Sequence, residues 1–98
     1  MSKLLASGGR FRNIPTSGSP VPVEGVDTNC DVIVIAADKD NQGRIWIGAS
    51  DIRATEKNGI PLSAEGIVTI QADQLNHVFV DAEVSGDNFS YYYQDFGA

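Results

Sequence analysis

Residues 30–49 read CDVIVIAADKDNQGRIWIGA. Residues 30–37 form a nearly unbroken β-branched run, the pattern of a strand buried on both faces or central to a sandwich. Residues 38–43 collect Asp, Asn and Gly, which favour turns, and residues 44–49 resume a strand pattern. The stretch therefore predicts two strands joined as a hairpin. Alternation places Ile45 and Ile47 on one side of the second strand and Trp46 on the other.

The same pattern recurs down the chain. Residues 67–72 (IVTIQA), 77–82 (HVFVDA) and 88–94 (NFSYYYQ) supply three more strands, with turn residues at 64–66 and 85–87. Pro61 confines the short apolar segment 60–62 to an edge or a loop. Residues 50–56 read as a loop, because β-branched Ile52 and Thr55 and the nearby Asn58-Gly59 argue against a helix. Five strands at spacings of about ten residues, with one or two more from residues 14–26, predict an all-β fold. The architecture expected is a single antiparallel β-sandwich, jelly-roll or Ig-like. A chain of 98 residues has material for one core and not for two.

Gly and Pro are distributed unevenly. Residues 1–25 hold seven of the fourteen, and they carry a net charge of +2 against −8 for residues 26–98. The reading is an extended basic N-terminal arm, residues 1–25, attached to an acidic sandwich domain, residues 26–98. The apolar residues of the arm suit docking on a surface larger than the arm itself, and residues 26–98 are expected to fold without it.

Composition excludes several function classes. A net charge of −6 repels phosphate backbones, so nucleic acid is not expected as a partner. No apolar run approaches the roughly 20 residues of a membrane span, and MSKLLA is too short for a signal peptide, so no membrane partner is expected and the chain should stay in the compartment that makes it. The single cysteine, Cys30, cannot form an internal disulfide or a cysteine-rich zinc site. Asp38-x-Asp40-x-Gln42-Gly43 begins like a calcium loop, but position twelve is Ala49 where a bidentate Glu is required, which leaves a turn. Gly48-Ala49-Ser50 matches only the start of a nucleophile elbow. His77 stands beside a strand with no partner set for Ser/His/Asp chemistry, and Asn88-Phe89-Ser90 is a glycosylation sequon inside a predicted strand. The residues point to no enzyme, no catalytic set, no metal and no cofactor.

Residues 30–93 resemble a small β-sandwich domain of tailed-bacteriophage virion proteins. The resemblance rests on an ordered series: the aliphatic strand at 31–37, Asp40-Asn41-Gln42-Gly43, Ile45-Trp46-Ile47-Gly48-Ala49-Ser50, Asn58-Gly59-Ile60-Pro61-Leu62, Ala64-Glu65-Gly66, the Thr69-containing strand, Val78-Phe79-Val80-Asp81, and the closing strand with its tyrosines. It implies a virion structural protein of the head decoration (cement) or head-fibre type, made in the host bacterial cytoplasm and carried on the capsid surface. Its partners would be the major capsid protein and its own copies, most simply as a trimer.

On that reading Leu4, Leu5, Arg10, Phe11, Arg12 and Ile14 form the capsid-docking arm. Arg10 and Arg12 would point one way towards rim carboxylates, and Phe11 the other into an apolar groove. Trp46, Phe79 and Tyr92, directed away from the aliphatic faces, form the subunit interface. A reading from another class is a carbohydrate- or receptor-binding module of a fibre or tail, with Trp46, Tyr91, Tyr92 and Tyr93 stacking on sugar rings.

Overall fold

The computed structural model describes residues 5–25 and 29–95, with backbone alone for residues 5–10. Two four-stranded antiparallel sheets face each other. Sheet A runs in the order β1 (Leu5–Asn13), β8 (Asn88–Asp95), β3 (Val32–Ala37), β6 (Ile67–Gln71). Sheet B runs β2 (Val21–Pro22), β7 (Phe79–Ala82), β4 (Ile45–Gly48), β5 (Ile60–Leu62). Every connection except β4 to β5 passes from one sheet to the other, and the two strand orders are those of an eight-stranded jelly roll. The all-β sandwich expected from the alternation is the fold observed, with Pro61 on an edge strand.

The alternate residues of each strand meet in one core. Ile33, Ile35, Phe89 and Tyr91 from sheet A pack against Ile45, Ile47, Val80 and Ala82 from sheet B, all buried. Full burial of each larger aliphatic or aromatic side chain is worth about 1.5–3 kcal/mol.

The hairpin expected over residues 30–49 is not formed. β3 pairs with β6 and β8, whereas β4 pairs with β5 and β7, so the two strands face each other across the core. The reason lies in the turn. The Asp87 carboxylate accepts from the backbone N–H groups of Gln42 (3.1 Å) and Gly43 (2.9 Å). The Asn41 amide donates to the Asn88 carbonyl at 2.8 Å, and the Asn88 N–H donates to Asn41 Oδ1 at 2.7 Å. These bonds fasten the turn to the start of β8 and carry it across the end of the sandwich.

The boundary drawn at Gly25 also fails. β1 is the edge strand of sheet A, paired with β8 from Leu5↔Asp95 to Asn13↔Asn88. Ile14 and Val23 are fully buried in the shared core, and Ile14 exchanges backbone hydrogen bonds with Asp87 and Gly86 at 2.9 Å. Residues 5–25 therefore belong to the sandwich. Two of the glycines that suggest an arm, Gly8 and Gly9, lie at a register shift of β1 between Ser7 and Arg10, where a bulge is accommodated. Pro22 sits in a two-residue edge strand, where a missing N–H is tolerated.

Candidate docking surface

The centre of the outer face of sheet B is covered by the chain itself. Trp46, Phe79 and Asp81 point outward, as alternation requires, with Trp46 opposite Asp81 on neighbouring strands. The β4–β5 loop folds back over them, bringing Ile52 and Ala54 against Trp46, which is left 5% exposed, and Phe79 packs on the same cluster. Gly59 closes this loop at φ +93, where a Cβ would lie 2.5 Å from the Ile47 carbonyl oxygen. Asp81 is fully buried: Oδ2 accepts from the Ala54 N–H at 2.7 Å and Oδ1 from the Gly18 N–H at 3.0 Å.

Trp46 Nε1 donates to Glu83 Oε2 at 2.8 Å, and the Arg44 guanidinium lies 5.3 Å from the indole centroid and 3.2 Å from Glu83. The Trp46 hydrogen bond, followed by the backbone N–H and charge of Arg44, holds the Glu83 carboxyl below its ordinary range. The assignment of Trp46 to a subunit interface is thus corrected, because its cover is this chain's own loop, whereas Phe79, packed on the same cluster, is half-buried. Tyr91 lies in the core at 3% exposure, so neither it nor Trp46 is presented for sugar stacking.

Sheet A has no such cover among the described residues. Its register sets Phe11, Ser90, Ala36 and Ile67 in one row across all four strands, with Tyr92, Val34 and Thr69 in the next and Gln94, Val32 and Gln71 beyond. None of these outward positions is charged, in a chain that is 20% charged. Phe11 is 62% exposed, Ile67 66% and Tyr92 38%. The small Ser90 and Ala36 between large neighbours leave a depression of about 200 Å³, lined by Val34, Ala36, Ile67, Ser90, Tyr91 and Tyr92. Exposed, uncharged faces carrying large apolar side chains are candidate interaction surfaces.

The residues expected to dock separate accordingly. Leu4 lies outside the described residues, and Leu5 and Arg10 are placed by backbone alone, within β1. Phe11 faces outward and joins Tyr92, one residue of each expected set meeting on a single face. Arg12 points the other way, donating to the Val23 carbonyl at 2.9 Å and pairing with Glu24 at 3.4 Å, while Tyr91 donates its hydroxyl proton to Glu24. Ile14 is core. Arg12 and Ile14 therefore stabilise the sandwich and are not offered to a partner.

Cys30 is 4% exposed, and its thiol lies 3.2 Å from the Ala72 carbonyl oxygen. Burial, then the charges of Asp31, Asp73 and Asp95, push the thiol pKa up. These residues border an open depression of about 720 Å³ at one end of sheet A. His77 Nδ1 meets Asp73 Oδ1 at 2.9 Å, which lowers the Asp73 pKa. Among the described residues, no three His, Cys, Asp or Glu side chains converge to hold a metal ion, and no helix is long and apolar enough to cross a membrane. Alkylation of Cys30 by iodoacetamide at about pH 8 should run at least about a hundredfold slower in the native protein than in urea. Equal rates would mean that the thiol is not enclosed as described.

No family model and no characterised protein matches the sequence. Among solved structures the chain is similar to a protein of the Bacillus endospore appendages, a family of disulfide-linked pili. The TM-score is 0.52 at 7% identity, over 100% of this chain and 92% of that one. At that identity the likeness concerns the fold alone.

Proposed function

We propose that the protein is a structural component of a phage virion, a capsid decoration (cement) protein that binds the outer shell and its own copies and performs no catalysis. The supporting observation is the difference between the two outer faces. One sheet is covered at its centre by a dedicated loop, whereas the other presents Phe11, Tyr92, Val34, Ala36 and Ile67 without a charge among them. The buried carboxylates also serve structure: Asp81 and Asp87 hold loops through backbone N–H groups. The resemblance of residues 30–93 to phage virion domains supports this class of assembly and implies the major capsid protein as partner. A similar sandwich in a pilus adds a precedent for this fold as a building block. Linking would be noncovalent here, since Cys30 is buried. Copies joined to one another would multiply modest individual contacts into stable attachment.

Docking through the open face of sheet A replaces docking through a free arm. Burial of Phe11 and Tyr92 is expected to contribute about 1.5–3 kcal/mol each. The doubly substituted Phe11→Ala/Tyr92→Ala protein should bind undecorated particles about a hundredfold more weakly than the parent, with little added salt dependence and an unchanged thermal melt. Particle co-sedimentation with copy counting checks this. The parent is expected in hundreds of copies per particle, an order of magnitude set by avid coverage of a repeating shell. Decoration by the double variant at the parental level would contradict the proposal.

A further inference from the structure

The four sheet edges are not equivalent. On sheet B, β2 is two residues long and contains Pro22, and β5 contains Pro61, so both edges lack a donor. On sheet A, β6 (IVTIQ) has five residues with no proline, charge or bulge. Such an edge, in a protein whose other sheet has proline on both of its edges, is a template for another strand. Val68 and Ile70, which face the core from β6, are only partly buried, as expected at a place where a further strand would complete the cover.

We infer that the β6 edge of one copy pairs with the β1 edge of a second copy, so that sheet A continues head to tail from molecule to molecule. Strand direction favours this occupant. Neighbouring strands of sheet A are antiparallel throughout, so a second copy in the same orientation presents β1 antiparallel to β6. The apolar rows support it as well. Phe11 and Ile67 are the most exposed large apolar residues among the described side chains, and they stand at opposite ends of one row. Pairing brings Ile67 of one copy beside Phe11 of the next and makes the uncharged face continuous. Residues 10–13 of β1, beyond its bulge, keep regular register and supply the matching edge.

Charge selects between this pairing and the alternative of two β6 strands about a twofold axis. The segment that contains β1 carries +2 and the rest of the chain −8, so head-to-tail contact brings opposite signs together. A β6–β6 pair centred on Thr69 would set Glu65 of each copy near Asp73 of the other. Being heterologous, the contact closes into a ring such as a trimer if its rotation allows, and otherwise runs on as a chain.

The inference rests on the proposed function only in taking the chain to self-associate. It is tested with Phe11→Cys and Ile67→Cys proteins treated with a short bis-maleimide, both free at high concentration and on decorated particles. Both positions are exposed, so folding is preserved. The 1:1 mixture is expected to give cross-linked dimers, and each variant alone none. Cross-linking of a Thr69→Cys protein with itself, or no cross-link in either setting, would overturn the pairing. In sedimentation, Ile67→Lys should weaken self-association at least about tenfold, since a lysine on an open edge opposes strand addition. Unchanged association would overturn it too. Particle binding by a chain that gives no cross-link would defeat this inference and leave shell docking intact.

Discussion

Replacing Asp81 with alanine is expected to lower the unfolding free energy by about 3–5 kcal/mol. The carboxylate is fully buried and accepts from three backbone N–H groups: Gly18 at 3.0 Å, Ala54 at 2.7 Å and Ala82 at 2.9 Å. Hydrogen bonds to a charged group are worth about 1.5–3 kcal/mol each, and a buried donor left without a partner costs about 1–3 kcal/mol. Set against the 5–15 kcal/mol typical of a whole domain, this one side chain carries a large share of the stability. The effect reaches two loops at once, since Gly18 lies between β1 and β2 and Ala54 lies in the loop that covers Trp46. Urea titration followed by Trp46 fluorescence provides the measurement. A loss below about 1 kcal/mol would contradict the assigned role, given the smallest contributions such bonds make.

Deletion of residues 1–25 should abolish cooperative unfolding. It removes the whole edge strand β1, the fully buried Ile14 and Val23, and the Gly18 donor to Asp81. Loss of two large core residues alone costs about 2–5 kcal/mol each. The bared edge of β8 and the opened core would also invite aggregation. Calorimetry of the truncated chain should show no two-state transition. A sharp melt would restore the view that residues 26–98 form an independent domain with a detachable arm.

The contrast between these expectations and the sequence reading shows which information is local. Period-two alternation in residues 44–49 sets Ile45 and Ile47 on the face opposite Trp46, and both are buried in the core. Alternation says nothing about which strand lies beside which, and short turns at 38–43 and 85–87 look alike whether the chain returns within a sheet or crosses to the other. The crossings depend on Asp87, Asn41 and Asn88, whose partners are more than forty residues apart. The outward direction of Trp46 was legible, but its cover was not, because the loop that seals it was read as lacking structure. An aspartate in the run VFVDA was the one local sign of the buried Asp81. The docking face was half legible. Phe11 and Tyr92 stand out for separate tasks, while Ile67 escapes notice as a single apolar residue on the parity it shares with the polar Thr69 and Gln71, opposite the core-facing Val68 and Ile70. Glycine and proline in residues 1–25 suggested a tail, whereas the bulge and the short edge strand that use them depend on pairing with β8 and β7.

The most direct test of the account is hydroxyl-radical footprinting of the free and the particle-bound protein. Phe11, Tyr92 and Ile67 are exposed in the single molecule, and Trp46 is covered by its own loop. Tyr92 is the decisive residue, since it stands in the middle of the sheet A face, where strand pairing at the edges does not reach it. Docking through that face predicts strong labelling of Tyr92 in the free protein, a loss of most of that labelling on the particle, and weak labelling of Trp46 in both. Equal labelling of Tyr92 in the two states would show that the open face of sheet A is not the surface by which this protein binds.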